Sequence, residues 1–89
     1  MPVNIQVSTT PNENALKFTL DKPAIDSGHK TYPNADAAAE SPVAADLFGI
    51  EGVVSVFLMA DFITVTKRPD VGWDVIQPAA EAAIQKAYG

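Results

Sequence analysis

The sequence predicts an α+β domain: a two-layer sandwich in ββαββα order, with two helices on one face of a largely antiparallel four-stranded sheet. Three observations lead there. Two stretches alternate apolar and polar residues with period two, a second pair of β-branched and aromatic runs is separated by only two residues, and two segments carry helix caps ahead of apolar residues at helical spacing. At 89 residues the chain is expected to be one domain spanning 1–89, since two cores would each be too small to offset chain entropy. Hydrophobic residues make up 47%, but alanine supplies 14 of them, so one modest core is expected and no deep pocket.

Val3, Ile5 and Val7 alternate with Asn4, Gln6 and Ser8, and Leu16, Phe18 and Leu20 alternate with Lys17 and Thr19. These read as an antiparallel hairpin. The TTPNEN link suits a turn, with Pro11 setting φ and Asn12 or Asn14 able to take the left-handed region. The stretch from Asp21 to Pro33 is polar and interrupted by Pro23, Gly28 and Pro33, so it reads as loop, with a short edge strand near Lys30 to Tyr32 as the one candidate element.

Asn34 can cap a first helical turn, and Ser41 followed by Pro42 matches an N-cap with proline at the first helical position. The resulting helix or broken helix ends near Phe48 and Gly49, with Val43 and Leu47, and Ala44 and Phe48, paired at i,i+4. Gly52 to Met59 and Phe62 to Lys67 form the second hairpin around Ala60 and Asp61. Val54, Val56 and Leu58 are expected to share a face with Ile63 and Val65, which leaves Phe57 and Met59 opposite. After the RPDVG linker, Asp74 and Gln77 resemble a capping box that opens a final helix to about Ala87, with Ile76, Ala80, Ala83, Ile84 and Ala87 as its buried stripe.

Composition excludes several functions. A formal net charge of -5 with six scattered basic residues is opposite to what phosphate backbones and anionic membranes attract, so neither nucleic acid nor membrane is an expected partner. The absence of cysteine removes disulfides, thiolate nucleophiles and the usual ligands of iron–sulfur clusters. The N-terminus, MPVNIQVSTT, contains neither a readable signal peptide nor a membrane span, so a cytoplasmic location is expected.

Chemistry-bearing residues are few. His29, near Asp26 and Ser27 in a polar loop, reads as a surface histidine, and no nucleophile with an oriented base is evident. Catalysis is not expected. Asp61, Asp70 and Asp74 flank the second hairpin and are the weak candidates for hard-cation ligands, against ordinary duties as turn former, solvated side chain and cap. Gly49, Gly52 and Gly72 compose no phosphate loop. Trp73 is either a binding hot spot or an anchor for the last helix, and Phe57 and Met59 are either packed or part of an exposed patch that could also pair two copies.

With Thr10, Pro11, Asn12, Asn14, Ala15, Leu16, Lys17 and Phe18, then Ser41, Pro42 and Ala44, Leu47 and Phe48, Ile50 to Val53, Val56 and Phe57, Asp61 to Lys67, Trp73 and Ile84, the chain resembles the N-terminal domain of Nfu/NifU-like scaffold proteins over almost its whole length. Glu13 stands where the family frequently has a second proline. In that family a further domain with a Cys-x-x-Cys carries the cluster, and this sequence reaches Gly89 without a cysteine. The resemblance therefore implies a non-enzymatic interaction module accessory to iron–sulfur cluster assembly, docking on a cluster scaffold or client, with iron binding as an inherited property and no cysteine ligation of a cluster. Phe57, Met59, Asp61, Lys67, Asp70 and Trp73 are the candidate partner contacts. The alternative is a weak carboxylate-based iron-binding protein, acting as donor or sensor.

Overall fold

Alternation along each strand sets which side chains face the helices, and pairing then fixes the sheet. A computed structural model describes residues 3–25 and 28–88. Asp26 and Ser27, weighed above as neighbours of His29, lie outside the described residues. The elements run β1 (Ile5–Thr9), β2 (Ala15–Leu20), β3 (His29–Tyr32), α1 (Ala35–Ala38), α2 (Pro42–Phe48), β4 (Val53–Met59), β5 (Phe62–Lys67) and α3 (Trp73–Tyr88). All pairings are antiparallel, in the order β1-β2-β5-β4-β3. The sheet thus has five strands rather than the four expected, and a separate one-turn helix precedes α2, so the ββαββα order gains β3 and α1. β3 is the short edge strand expected near Lys30 to Tyr32, begun one residue earlier at His29; HKTY does not alternate in polarity because as an edge strand it buries only Tyr32.

Phe18, Ile63, Val65, Val56 and Leu58 lie on one face of adjacent strands and are buried together with Val43, Ala44 and Leu47 of α2 and Ile76, Ala80 and Ile84 of α3. No helix among the described residues is long and apolar enough to cross a membrane. Caps form as the sequence indicates for the middle helices: Asn34 accepts a hydrogen bond from the Ala37 amide at 2.8 Å and Ser41 from the Ala44 amide at 3.4 Å. For α3 they do not. Asp74 lies inside its first turn, the Gly72 carbonyl accepts the first helical bonds, and Gln77 instead donates to Glu81. Ala87 is exposed, and Tyr88 takes its place against the core.

Two local departures have clear causes. The β1–β2 turn uses no left-handed asparagine, because Asn12 accepts from the Asn14 amide at 2.9 Å and Thr10 from the Asn12 amide at 3.1 Å, side chains supplying the turn bonds instead. In β4 an extra residue interrupts the register between Val53, opposite Lys67, and Ser55, opposite Thr66. That bulge buries Val53 and leaves Val54 40% exposed, reversing the expected position of Val54 on the core face. Gly52 leads into the bulge at φ +102°, where an added Cβ would lie 2.8 Å from Val71 Cγ2 and 3.1 Å from Ile76 Cδ1.

A polar cluster closes one end of the barrel-less sheet. Lys67 is only 7% exposed, with its Nζ donating to Asn14 Oδ1 at 3.1 Å and to the Arg68 carbonyl at 3.2 Å, and lying 5.7 Å from the centroid of the Trp73 ring. Trp73 Nε1 in turn donates to the Glu13 carbonyl at 3.1 Å, tying the start of α3 to the first turn. At the other end, Gln85 of α3 accepts from the Val3 amide and donates to the Val3 carbonyl, while Lys22 donates to the Tyr88 carbonyl.

Gly52→Ala is expected to lower the unfolding free energy measured by urea denaturation by about 1–3 kcal/mol, from strain at positive φ and contact with Val71. Asn14→Ala should cost about 1–3 kcal/mol because it removes an acceptor from a buried ammonium, and Asn14→Ala with Lys67→Met should cost less than the sum of the single changes. Burial raises the Tyr32 phenol above its ordinary 10.0, with the Glu40 carboxylate adding to it, and burial likewise raises Tyr88, with Tyr32 contributing. The folded state therefore retains protons that the unfolded chain releases near pH 10.0, so this contribution is whole below that pH and is lost as pH rises through the folded values. Denaturant midpoints measured from pH 9 upward should fall, and Tyr32→Phe should flatten that fall.

Candidate functional site

Residues that alternate away from the core make up the second face of the sheet, and among the described residues no helix covers it. Lys17 and Thr19 of β2, Phe62, Thr64 and Thr66 of β5, Ser55, Phe57 and Met59 of β4, and His29 and Thr31 of β3 share this face by register. Met59 is opposite Phe62 and His29, and Phe57 is opposite Thr64 and Thr31, so the aromatic rings meet along diagonals. The His29 and Phe57 centroids are 5.9 Å apart at 35°, and those of Phe57 and Phe62 are 6.1 Å apart at 44°. Lys17 Nζ stands 4.4 Å from the Phe62 centroid, a cation–π distance. The result is a row Lys17, Phe62, Phe57, His29 crossing four strands, with Met59 beside it and 43% exposed.

The residues expected to contact a partner fall in separate places. Phe57 and Met59 lie on the open face, and Asp61 projects from the adjoining β4–β5 turn. Lys67 and Trp73 lie at the far end of β5 and are held in the polar cluster, while Asp70 is exposed and pairs with Arg68 at 3.4 Å. The three weak metal candidates do not converge either: Asp61 precedes β5 whereas Asp70 and Asp74 follow it, so about 20 Å of extended strand separates the two ends. Among the described residues no group of three His, Cys, Asp or Glu side chains could hold a metal ion.

Phe62, Lys17 and His29 complete the row and were absent from the sequence-derived contacts. The signal for Phe62 was present, since it has the same parity as Thr64. For His29 the signal fell one residue short: an edge strand was expected from Lys30, and HKTY lacks the alternation that would carry it back to His29.

A shallow groove of about 610 Å³ lies beside Asp61, lined by Leu20, Asp21, Lys22, Pro23, Ile25 and Ala60. The Asp61 and Ala60 carbonyls accept from the Leu20 and Ala24 amides and so hold this rim to the hairpin turn. Among the described residues its polar side chains are Asp21, Lys22 and Asp61.

Comparison with known proteins gives one consistent result. Residues 5–89 match the family described as "Scaffold protein Nfu/NifU N terminal". The chain is 46% identical over 85 residues to the human mitochondrial NFU1 iron-sulfur cluster scaffold homolog, covering 94% of this chain and 34% of that one. It is 43% identical over 84 residues to NifU-like protein 4, mitochondrial, of Arabidopsis thaliana, covering 94% of this chain and 30% of the relative. The chain thus spans about a third of the length of these curated relatives. Their mitochondrial names overturn the cytoplasmic location expected from the N-terminus. Among solved structures, a NifU-like protein of Saccharomyces cerevisiae superposes with a TM-score of 0.84 at 32% identity, covering 99% of this chain and 82% of that one. A Staphylococcus aureus protein gives 0.78 at 34% identity, covering 94% and 99%. Sequence and fold together show that the chain belongs to the Nfu/NifU N-terminal scaffold family.

Proposed function

We propose that residues 1–89 act as one non-enzymatic interaction module, accessory to iron–sulfur cluster assembly or delivery, that docks on a cluster scaffold or on a client protein. The observation that carries this reading is the family match over residues 5–89, joined to a sheet face that presents contact side chains rather than reactive ones. The cluster is cargo carried by the partner. Phe57, Met59 and Asp61 are the proposed contacts, and Lys67 and Trp73 support them from within the fold by fixing the far end of β5, with Asp70 exposed beside them. Ferrous iron held by carboxylates gains no support from the geometry, since Asp61 stands at the opposite end of β5 from Asp70 and Asp74.

Affinity capture of the tagged chain from its native cells under anaerobic conditions, with quantitative mass spectrometry, tests the reading. Cysteine-bearing cluster scaffolds or identified iron–sulfur clients should be enriched over an untagged control. Capture of the chain without any iron–sulfur protein would refute it.

A further inference from the structure

The open sheet face has a charge character unlike the rest of the molecule. The protein has a formal net charge of -5, with 11 acidic residues. Yet the outward positions of β2, β5, β4 and β3 include no carboxylate: besides Phe57, Phe62, Met59 and Ala15 they carry threonines, Ser55, and the two basic side chains Lys17 and His29. These bracket the aromatic row at either end, Lys17 over Phe62 and His29 against Phe57. Acidic residues sit instead on the turns and helices, at Glu13, Asp61, Asp36, Glu40, Asp46, Asp74 and Glu81.

From this arrangement we infer that the open face is the docking surface for an acidic segment of a partner protein, one that lays an aromatic or aliphatic anchor on Phe57 and Phe62 and sets carboxylates beside Lys17 and His29. The inference rests on the interaction-module reading above and adds the chemistry of the partner to it. Apolar anchors over half-buried rings supply the contact area, and Lys17, with the His29 imidazole as a further hydrogen-bonding group, supplies register and discrimination against basic segments. Repulsion between two net-acidic proteins does not forbid this, because physiological salt screens charges beyond about 8 Å while the pairs at Lys17 and His29 are in contact. A second copy is the less fitting occupant. Two such faces brought together would oppose Lys17 and His29 with the same groups, and each molecule would contribute its own net charge of -5.

The test uses the full chain and synthetic peptides in which tryptophan and leucine are set among aspartates and glutamates, followed by amide chemical shifts in two-dimensional NMR. The acidic peptide should move the amides around Lys17, His29, Phe57 and Phe62, bind more weakly as salt rises, and lose about tenfold in affinity with Lys17→Glu. The same anchors set among lysines, or the acidic residues without anchors, should bind far less. Equal binding of the lysine peptide, shifts confined to other surfaces, or no shifts at all would overturn the inference. So would shifts at this face that depend on protein concentration alone, which would give it to a second copy.

Phe57→Ser with Phe62→Ser, checked for retained fold by circular dichroism, separates this inference from the reading beneath it. If the wild-type chain captures iron–sulfur proteins and this variant captures them equally, the face is wrong and the module reading stands. If the variant loses them, both stand. If neither captures them, the module reading fails, and with it the inference that depends on it.

Discussion

The burial of one sheet face by α2 and α3 is the constraint on which the other features depend. Phe18, Ile63, Val65 and Val56 reach full burial only because Leu47, Ile76 and Ile84 complete the same core, and Ala44 and Ala80, also fully buried, let the helices come close. A chain whose apolar content is one-third alanine has no bulk left for a second helical layer. The opposite face must therefore be satisfied without one. Threonines, a lysine and diagonal aromatic pairs meet that need, with cross-strand contacts worth about 0.2–1 kcal/mol each. The economy of the core and the openness of the candidate site are thus one fact seen from two sides.

Much of this was legible from the residues. Both hairpins, the capping by Asn34 and Ser41, and the pairing of Val43 with Leu47 follow from local periodicity and cap chemistry, which tertiary contacts here reinforce. Three features were not legible, each for a non-local reason. The bulge at Val54 changes which residue is buried without changing the run VVSVFLM, because register is decided by the partner strand β5. The short edge strand expected near Lys30 to Tyr32 is there as β3, but its start at His29 and its place in the same sheet are decided by β4, which offers it an edge. The burial of Lys67 depends on Asn14, more than fifty positions away, being there to accept its hydrogen bond.

The candidate site was half legible. Phe57 and Met59 were placed on the right face, and Asp61 beside it, from parity and turn position. Lys67 and Trp73 were expected as partner contacts, with an anchoring role weighed for Trp73 alone, and the structure gives both work inside the fold: an ammonium without a paired carboxylate among the described residues, held by amide oxygens and an indole face. Replacing Lys67 with arginine would not be conservative there, since a planar fork cannot use acceptors arranged for a compact ammonium. Family resemblance in the run from Asp61 to Lys67 therefore mixes residues of two kinds, an exposed side chain at its start and a structural keystone at its end.

The clasp of Gln85 on Val3 has a consequence for how the chain can be tethered. It brings residues 3 and 85 within hydrogen-bonding distance, and the bond from Lys22 to the Tyr88 carbonyl holds the last turn of α3 nearby. Both ends of the described chain therefore emerge together on the helical side of the molecule. A neighbouring domain could be spliced to either end, or the two ends joined and the chain reopened in a loop, without threading a linker across the uncovered strands. The geometry suits a cassette that can be inserted in different molecular contexts while keeping the same surface turned outward.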